Sequence, residues 1–176
     1  SLTLINLDTL TESILSGMRS TILGEQIVII TDFSEVSEVE YYPVAMRSIL
    51  QNLISNACSY KDLEKEVHEI KITALENEKY ITIEIADNGI GIETEFHQYV
   101  FDLFKRLHNR QDYIGTGIGL ATAKKILDRL DGDIRIMHSK PGKGSAFLLR
   151  FPIITPTKDS CNEENLSESR AIAATE

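Results

Sequence analysis

Apolar and polar residues alternate most regularly across HEIKITALENEKYITIEIAD, residues 68–87. Ile70, Ile72 and Ala74 fall on one side of a first strand, and Ile81, Ile83 and Ile85 on one side of a second. Glu-Asn-Glu between them predicts an antiparallel hairpin. Upstream, LTLINLDTLTESILSGMRSTILGEQIVIITD predicts a short strand, a helix and another strand. Leu10, Ile14, Met18 and Ile22 step by four, giving one apolar stripe. Asp8 or Thr9 is the expected cap, with Thr9 and Glu12 at capping-box spacing and Gly24 as the stop. SEVEYY predicts a strand, and Pro43 suits the first turn of a helix reaching about Tyr60. That helix turns Ile49, Leu50, Leu53, Ile54 and Ala57 inward. Residues 87–116 read as loop with short helical pieces, followed by a helix over 117–131 ended by Gly132. DIRIMHSKPGKGSAFLLRF then forms a last hairpin. From Pro156 the chain is polar and aperiodic, which predicts a disordered tail or linker over 156–176. The expected fold class is α/β of the α+β kind, helices packed on one face of a mixed β-sheet.

Composition narrows the function classes. The 176 residues, 42% apolar and 26% charged, suit one domain with a sizeable core. No apolar run has the length of a membrane span, and no signal-peptide pattern opens the chain. A start at Ser1 reads as a piece of something longer. Cys58 and Cys161 have neither pairing logic nor metal-ligand spacing, which fits a reduced, cytoplasmic setting. A net charge of −9 argues against a nucleic-acid surface, which needs a basic stripe. FKRLHNR, residues 104–110, is the exception, with Lys105, Arg106 and Arg110 and no acid. It is either a solvated loop or the meeting place for a small polyanion.

Three stretches could carry chemistry. In QNLISNACSYKD, Asn52, Asn56 and Tyr60 recur every four residues and share a helix face. An amide oxygen there can serve Mg²⁺, a hard cation that keeps most of its waters and phosphate ligands, or can bond to solvent and backbone. In IADNGIGIETEF, Asp87 and Gly89 look like a hairpin turn, yet no alternating strand follows and Gly91 comes two residues later. Glycines permit close approach to the backbone, and an aspartate beside such a gap can accept the exocyclic amine of adenine while rejecting the carbonyl of guanine. In IGTGIGLATAKKIL, Gly115, Gly117 and Gly119 lead into an amphipathic helix whose free N–H groups favour phosphate. Neither the P-loop nor the dinucleotide fingerprint is present.

In combination, these stretches resemble the ATP-binding catalytic domain of bacterial sensor histidine kinases. Their superfamily, the Bergerat-fold or GHKL group, includes type II topoisomerases, heat-shock chaperones and mismatch-repair ATPases. NLISNACSY resembles the asparagine box, DNGIGI the first glycine box, FDLFKRL the phenylalanine box and GTGIGLATAKKI the second glycine box. SKPGKGSAFLLRFP resembles the terminal hairpin, and the likeness spans residues 2–154. It implies a two-layer sandwich with an ATP lid at about 93–116, and a catalytic domain over residues 1–155.

The resemblance also implies roles. Asp87 receives the adenine amine, Gly89, Gly91 and Ile92 line the base, Tyr60 packs on it, and Ser145 orients the aspartate. Asn56 ligates Mg²⁺ and Asn52 lies beside the phosphates. Lys105 and Arg106 meet the phosphate chain. Gly115, Thr116, Gly117, Ile118, Gly119 and Leu120 shape the lid and offer backbone N–H groups. Phe101 and Phe104 anchor the lid. Many relatives carry lysine where this chain has Ser59. The hydrolytic branches carry a water-activating glutamate where this chain has Asn52, so slow hydrolysis is expected.

The implied cofactors are ATP and Mg²⁺. The implied partners are the histidine-bearing dimerisation and phosphoacceptor domain of the same protein and a cognate response regulator. Nucleic acid and direct membrane contact are not expected. The fragment is expected to be monomeric and cytoplasmic even if the parent is membrane-anchored. His68, beside Glu69, lacks the Leu-Arg of an acceptor motif and reads as structural. Two other classes fit less of the sequence: a serine kinase of the anti-sigma-factor type, and a non-catalytic interaction module.

Overall fold

The computed structural model describes residues 1–102 and 117–153. Strand β1 (Thr3–Asn6) runs into helix α1 (Leu7–Gly17), followed by α2 (Arg19–Gly24) and β2 (Ile27–Asp32). Then come β3 (Glu38–Tyr41), α3 (Pro43–Ser59), β4 (His68–Glu76) and β5 (Tyr80–Asp87). A 3₁₀ turn (Thr94–Phe96) precedes α4 (Gly119–Arg129), β6 (Asp133–Lys140) and β7 (Gly144–Pro152). The main sheet has the order β2-β4-β5-β7-β6, with β2 parallel to β4 and the other pairs antiparallel. Separately, β1 pairs with β3, a two-stranded unit that local periodicity does not reveal.

The two-layer arrangement is the one expected. Ile70, Ile72, Ile83, Ile85, Leu149 and Phe151 point from the sheet into the core, while Glu69 and Lys71 face outward. Leu10 and Ile14 of α1 and Leu127 of α4 are buried in the same core. All five residues expected on the inner face of α3 are buried, together with Met46 and Cys58. Burial of this kind, at about 25 cal/mol per Å² of apolar area, is what fixes the strand register.

Four local expectations are corrected. The single stripe through Ile22 is two helices, because the Met18 N–H turns back to Leu15 O at 3.0 Å after Gly17. The cap is neither Asp8 nor Thr9 but Asn6, whose Oδ1 accepts the Thr9 N–H at 2.9 Å. Neither glycine stop occupies the left-handed position: Gln26 (φ 52°) takes it after α2 and Asp131 (φ 56°) after α4. Gly132 is needed for space instead, since a Cβ there would lie 2.7 Å from Leu127 Cδ2 and 2.8 Å from Arg150 O. The helix expected from residue 117 begins at Gly119.

An irregularity in β6 matters for the site. The register shifts between Ile136 and His138, so strict alternation fails. Ser139, not His138, follows Ile134 onto the inner face and pairs with Ser145.

Candidate functional site

Asp87 ends β5 on the core-facing side, in line with Ile83 and Ile85. Its neighbours in register are Ile70 on β4 and Ser145 on β7, and Ser145 in turn faces Ser139 on β6. A carboxylate therefore occupies a row that apolar side chains fill elsewhere. Burial pushes its pKa up to about 6, against hydrogen bonding from Gly89 N–H (2.8 Å to Oδ1), the field of His68, the Ser145 N–H and the field of Lys65. The neighbouring Cys58 thiol is pushed up to about 11, first by burial and then by Asp87. At neutral pH Asp87 is ionised, with acceptor capacity beyond its two main-chain donors.

The turn after Asp87 is not a hairpin. Asn88 behaves as an extra strand residue: its amide accepts the Glu69 N–H at 2.9 Å and donates to Val67 O at 3.0 Å. Gly89 lies against the main chain of Tyr60, where a Cβ would strike the carbonyl oxygen, and that oxygen also accepts the Ile90 N–H at 3.0 Å. Gly91 has φ +73° and faces the Lys140 carbonyl so closely that no side chain fits. Gly142 N–H donates to Ile90 O at 2.8 Å. The β6–β7 turn is thus locked onto the loop that carries Gly89 and Gly91. Ile92, half-buried, donates its N–H to Ser139 Oγ at 2.7 Å, and Ser139 Oγ lies 2.7 Å from Ser145 Oγ. Ser145 consequently faces Asp87 with its main-chain N–H while its hydroxyl is bonded to Ser139.

Helix α3 brings its amides to the N-terminus of α4. Asn52 donates from Nδ2 to Ser48 O at 2.8 Å, leaving Oδ1 beside the Gly119 Cα, where a Cβ would come within 3.2 Å. Helix α4 starts after Gly117 (φ +70°) with Ile118 as its cap and no side chain closing the end, so the N–H groups of its first turn, at Gly119 and Leu120, have no helical acceptor. One turn from Asn52, the half-buried side chain of Asn56 makes no hydrogen bond among the described residues. Its amide oxygen is a hard donor suited to a cation such as Mg²⁺. Tyr60, at the end of α3, is half-buried. Ser59 bonds back to Ser55 O at 2.9 Å, and Lys61 is paired with Glu25. Phe101, within the segment expected as the lid, meets Phe147 edge-on at 6.2 Å. Phe104, Lys105, Arg106, Gly115 and Thr116, the core of that lid, and the tail at 156–176 lie outside the described residues.

Sequence reasoning missed Asn88, Ser139 and Lys65. Asn88 was hidden by its resemblance to a turn residue, and Ser139 by the β6 irregularity. His68 is buried, with Nε2–H donating to Ala57 O at 2.8 Å and Nδ1 without a hydrogen-bond partner among the described residues. This is a packed imidazole, not an exposed acceptor.

Among known proteins, residues 42–155 match the family model for histidine kinase-, DNA gyrase B- and HSP90-like ATPases. The phytochrome-like protein Cph1 of Synechocystis is 38% identical over 110 residues, 62% of this chain and 14% of Cph1. The sensor histidine kinase RcsC of Salmonella typhimurium is 33% identical over 113 residues, 63% of this chain and 11% of RcsC. The chain therefore spans a small fraction of these curated relatives. The nucleotide-free catalytic domain of histidine kinase ThkA superposes with a TM-score of 0.69 at 25% identity, covering 87% of this chain and 96% of that one.

Proposed function

This chain belongs to the family of histidine kinase-, DNA gyrase B- and HSP90-like ATPases, as the ATP-binding catalytic domain of a sensor histidine kinase, and from that premise we propose how it holds ATP and what it does with it. The observation that carries the reading is a buried, ionisable Asp87 flanked by two glycines that no other residue could replace. Its carboxylate accepts the exocyclic amine of adenine. Gly89, Gly91 and Ile92 form the wall beside the base, and Tyr60 covers it. A guanine carbonyl in the same position would leave two acceptors facing each other.

The phosphates then run from Asp87 toward Asn52 and the first turn of α4, where Gly117, Ile118, Gly119 and Leu120 offer main-chain donors. Asn56 holds Mg²⁺ through its amide oxygen, and the metal neutralises charge on the phosphate oxygens. Lys105, Arg106, Gly115 and Thr116 lie outside the described residues, and their part in holding the phosphates rests on the family resemblance alone. Asn52 is no general base, so bound ATP waits for a nucleophile from elsewhere. That nucleophile is a histidine on the dimerisation and phosphoacceptor domain, from which a response regulator takes the phosphoryl group. No helix among the described residues is long and apolar enough to cross a membrane.

The test is calorimetry with an ATP analogue and Mg²⁺. Wild type binds and Asp87→Asn binds at least tenfold more weakly, the value of one buried charge-assisted hydrogen bond of about 1.5–3 kcal/mol. Equal binding sinks the assignment. With labelled ATP the chain alone acquires little phosphate, and an added acceptor domain acquires an acid-labile phosphohistidine. An acid-stable phosphoserine instead would place it among the serine kinases.

A further inference from the structure

Lys65 lies in none of the motifs above, yet its side chain reaches the main chain of the loop that follows Asp87. Asp62 organises the turn that delivers it: Asp62 Oδ1 accepts the Glu64 N–H at 3.0 Å, and Asp62 O accepts the Lys65 N–H at 3.1 Å. The half-buried ammonium then donates to two carbonyls, Asn88 O in the first glycine box and Gly142 O (3.0 Å) in the β6–β7 turn. Asp62 Oδ2, at 3.7 Å, is its only acidic partner among the described residues. The two loops it joins are 54 residues apart by these contacts, and each packs against Asp87: Gly89 through its N–H, and Gly144 so closely that a Cβ would strike Asp87 O.

We infer that Lys65 is a positioning residue for adenine recognition: its ammonium fastens the Asn88–Gly89 turn to the Gly142 turn and keeps a positive charge behind the Asp87 carboxylate. The inference rests on the reading of Asp87 as the group that receives the amine. Two physical points support it. Carbonyl oxygens of separate loops that converge on one ammonium cannot drift apart without giving up two charge-assisted hydrogen bonds. In addition, the charged groups acting on Asp87 are His68 from β4 and Lys65 from this turn, while β7 supplies the Ser145 N–H; Cys58 on α3 is itself pushed up by Asp87. His68 and then Lys65 favour the charged form of Asp87, and of the two only the lysine also ties Asn88 to Gly142. It therefore favours the form of Asp87 that accepts a hydrogen bond over the form that must donate one.

The experiment follows the Asp87 carboxyl by carbon-detected NMR titration of the nucleotide-free chain, and Mg-ATP affinity at pH 6 and 7, in wild type, Lys65→Met, Lys65→Gln, Lys65→Arg and Asp87→Asn. Lys65→Met and Lys65→Gln are expected to move the Asp87 midpoint upward by about half a unit or more and to weaken ATP binding roughly three- to tenfold, more at pH 6 than at pH 7. Lys65→Arg should titrate as wild type, because it keeps the charge. Glutamine keeps a donor for the carbonyls without charge, so it reads the electrostatic effect even if the methionine variant does not fold. Neutral variants that titrate as wild type overturn the inference, whatever their affinity. If Asp87→Asn binds ATP as well as wild type, the adenine reading fails and this inference with it. If Asp87→Asn binds poorly while the neutral Lys65 variants titrate normally, only the inference fails.

Discussion

Ser139 Oγ accepts the main-chain N–H of Ile92 at 2.7 Å, joining residues 47 apart in sequence. The bond is part-buried and belongs to a row that continues through Ser145 to Asp87. Ser139→Ala removes the acceptor and leaves the Ile92 N–H without a partner. The expected cost is about 1–3 kcal/mol in urea unfolding, with weaker binding of an ATP analogue. A variant as stable as wild type would mean that the loop finds another acceptor.

Gly91 and Gly142 have nearly the same left-handed backbone, φ +73° and +71°, but different surroundings. A Cβ on Gly91 would strike the Lys140 carbonyl, whereas one on Gly142 meets nothing within 4 Å. Gly142→Ala should therefore cost only the backbone penalty of about 1–2 kcal/mol. Gly91→Ala should cost on the order of 2–4 kcal/mol and abolish nucleotide binding at micromolar protein. Paired thermal melts read the difference directly, and equal losses would contradict it.

Asn52 and Asn56 are one helical turn apart and should separate in function. Asn52→Ala releases the Ser48 carbonyl and its contact with Gly119, so it lowers stability by about 1 kcal/mol as well as binding. Asn56→Ala removes a side chain with no protein partner among the described residues, so its melting temperature stays near wild type. Its ATP affinity becomes insensitive to added Mg²⁺. A Mg²⁺ titration that shifts affinity in Asn56→Ala as in wild type would reassign the metal.

The raised pKa of Asp87 has a definite sign in two measurements. The folded chain holds this proton more tightly than the unfolded one, so acidification from pH 6 toward 4 adds stability through this group, on the order of 2–3 kcal/mol in all. The contribution should be missing from Asp87→Asn. An amine donor prefers the carboxylate, so ATP affinity rises by up to about tenfold per unit as pH climbs through 5 to 6, then levels. A profile that is flat there, once the known ionisation of free ATP is subtracted, would count against Asp87 as the amine acceptor.

Much of the fold was legible because burial imposes a simple period. The β4–β5 hairpin and the inner face of α3 follow directly from Ile70, Ile72, Ile83, Ile85, Leu53 and Ile54. Harder to read were places where a side chain replaced main chain, as Asn6 does at α1 and Asn88 does beside β4. Glycines misled in a systematic way. Gly24 and Gly132 suggest helix stops, but Gln26 and Asp131 take the left-handed positions, and the space around a glycine is set by neighbours distant in sequence. The candidate site was legible in its motifs, which are local. Ser139 and Lys65 were not, since one depends on a register shift in β6 and the other on a turn made by Asp62.

Strand β7 is the last element in sequence among the described residues, yet it is inserted between β5 and β6 rather than added at a margin. A nascent chain halted before residue 144 would already display the asparagine helix and both glycine motifs, but Asp87 would have no neighbour on its β7 side. Nucleotide competence and completion of the sheet thus arrive together. A chain truncated before residue 144 is therefore expected to lose both the completed sheet and its hold on ATP.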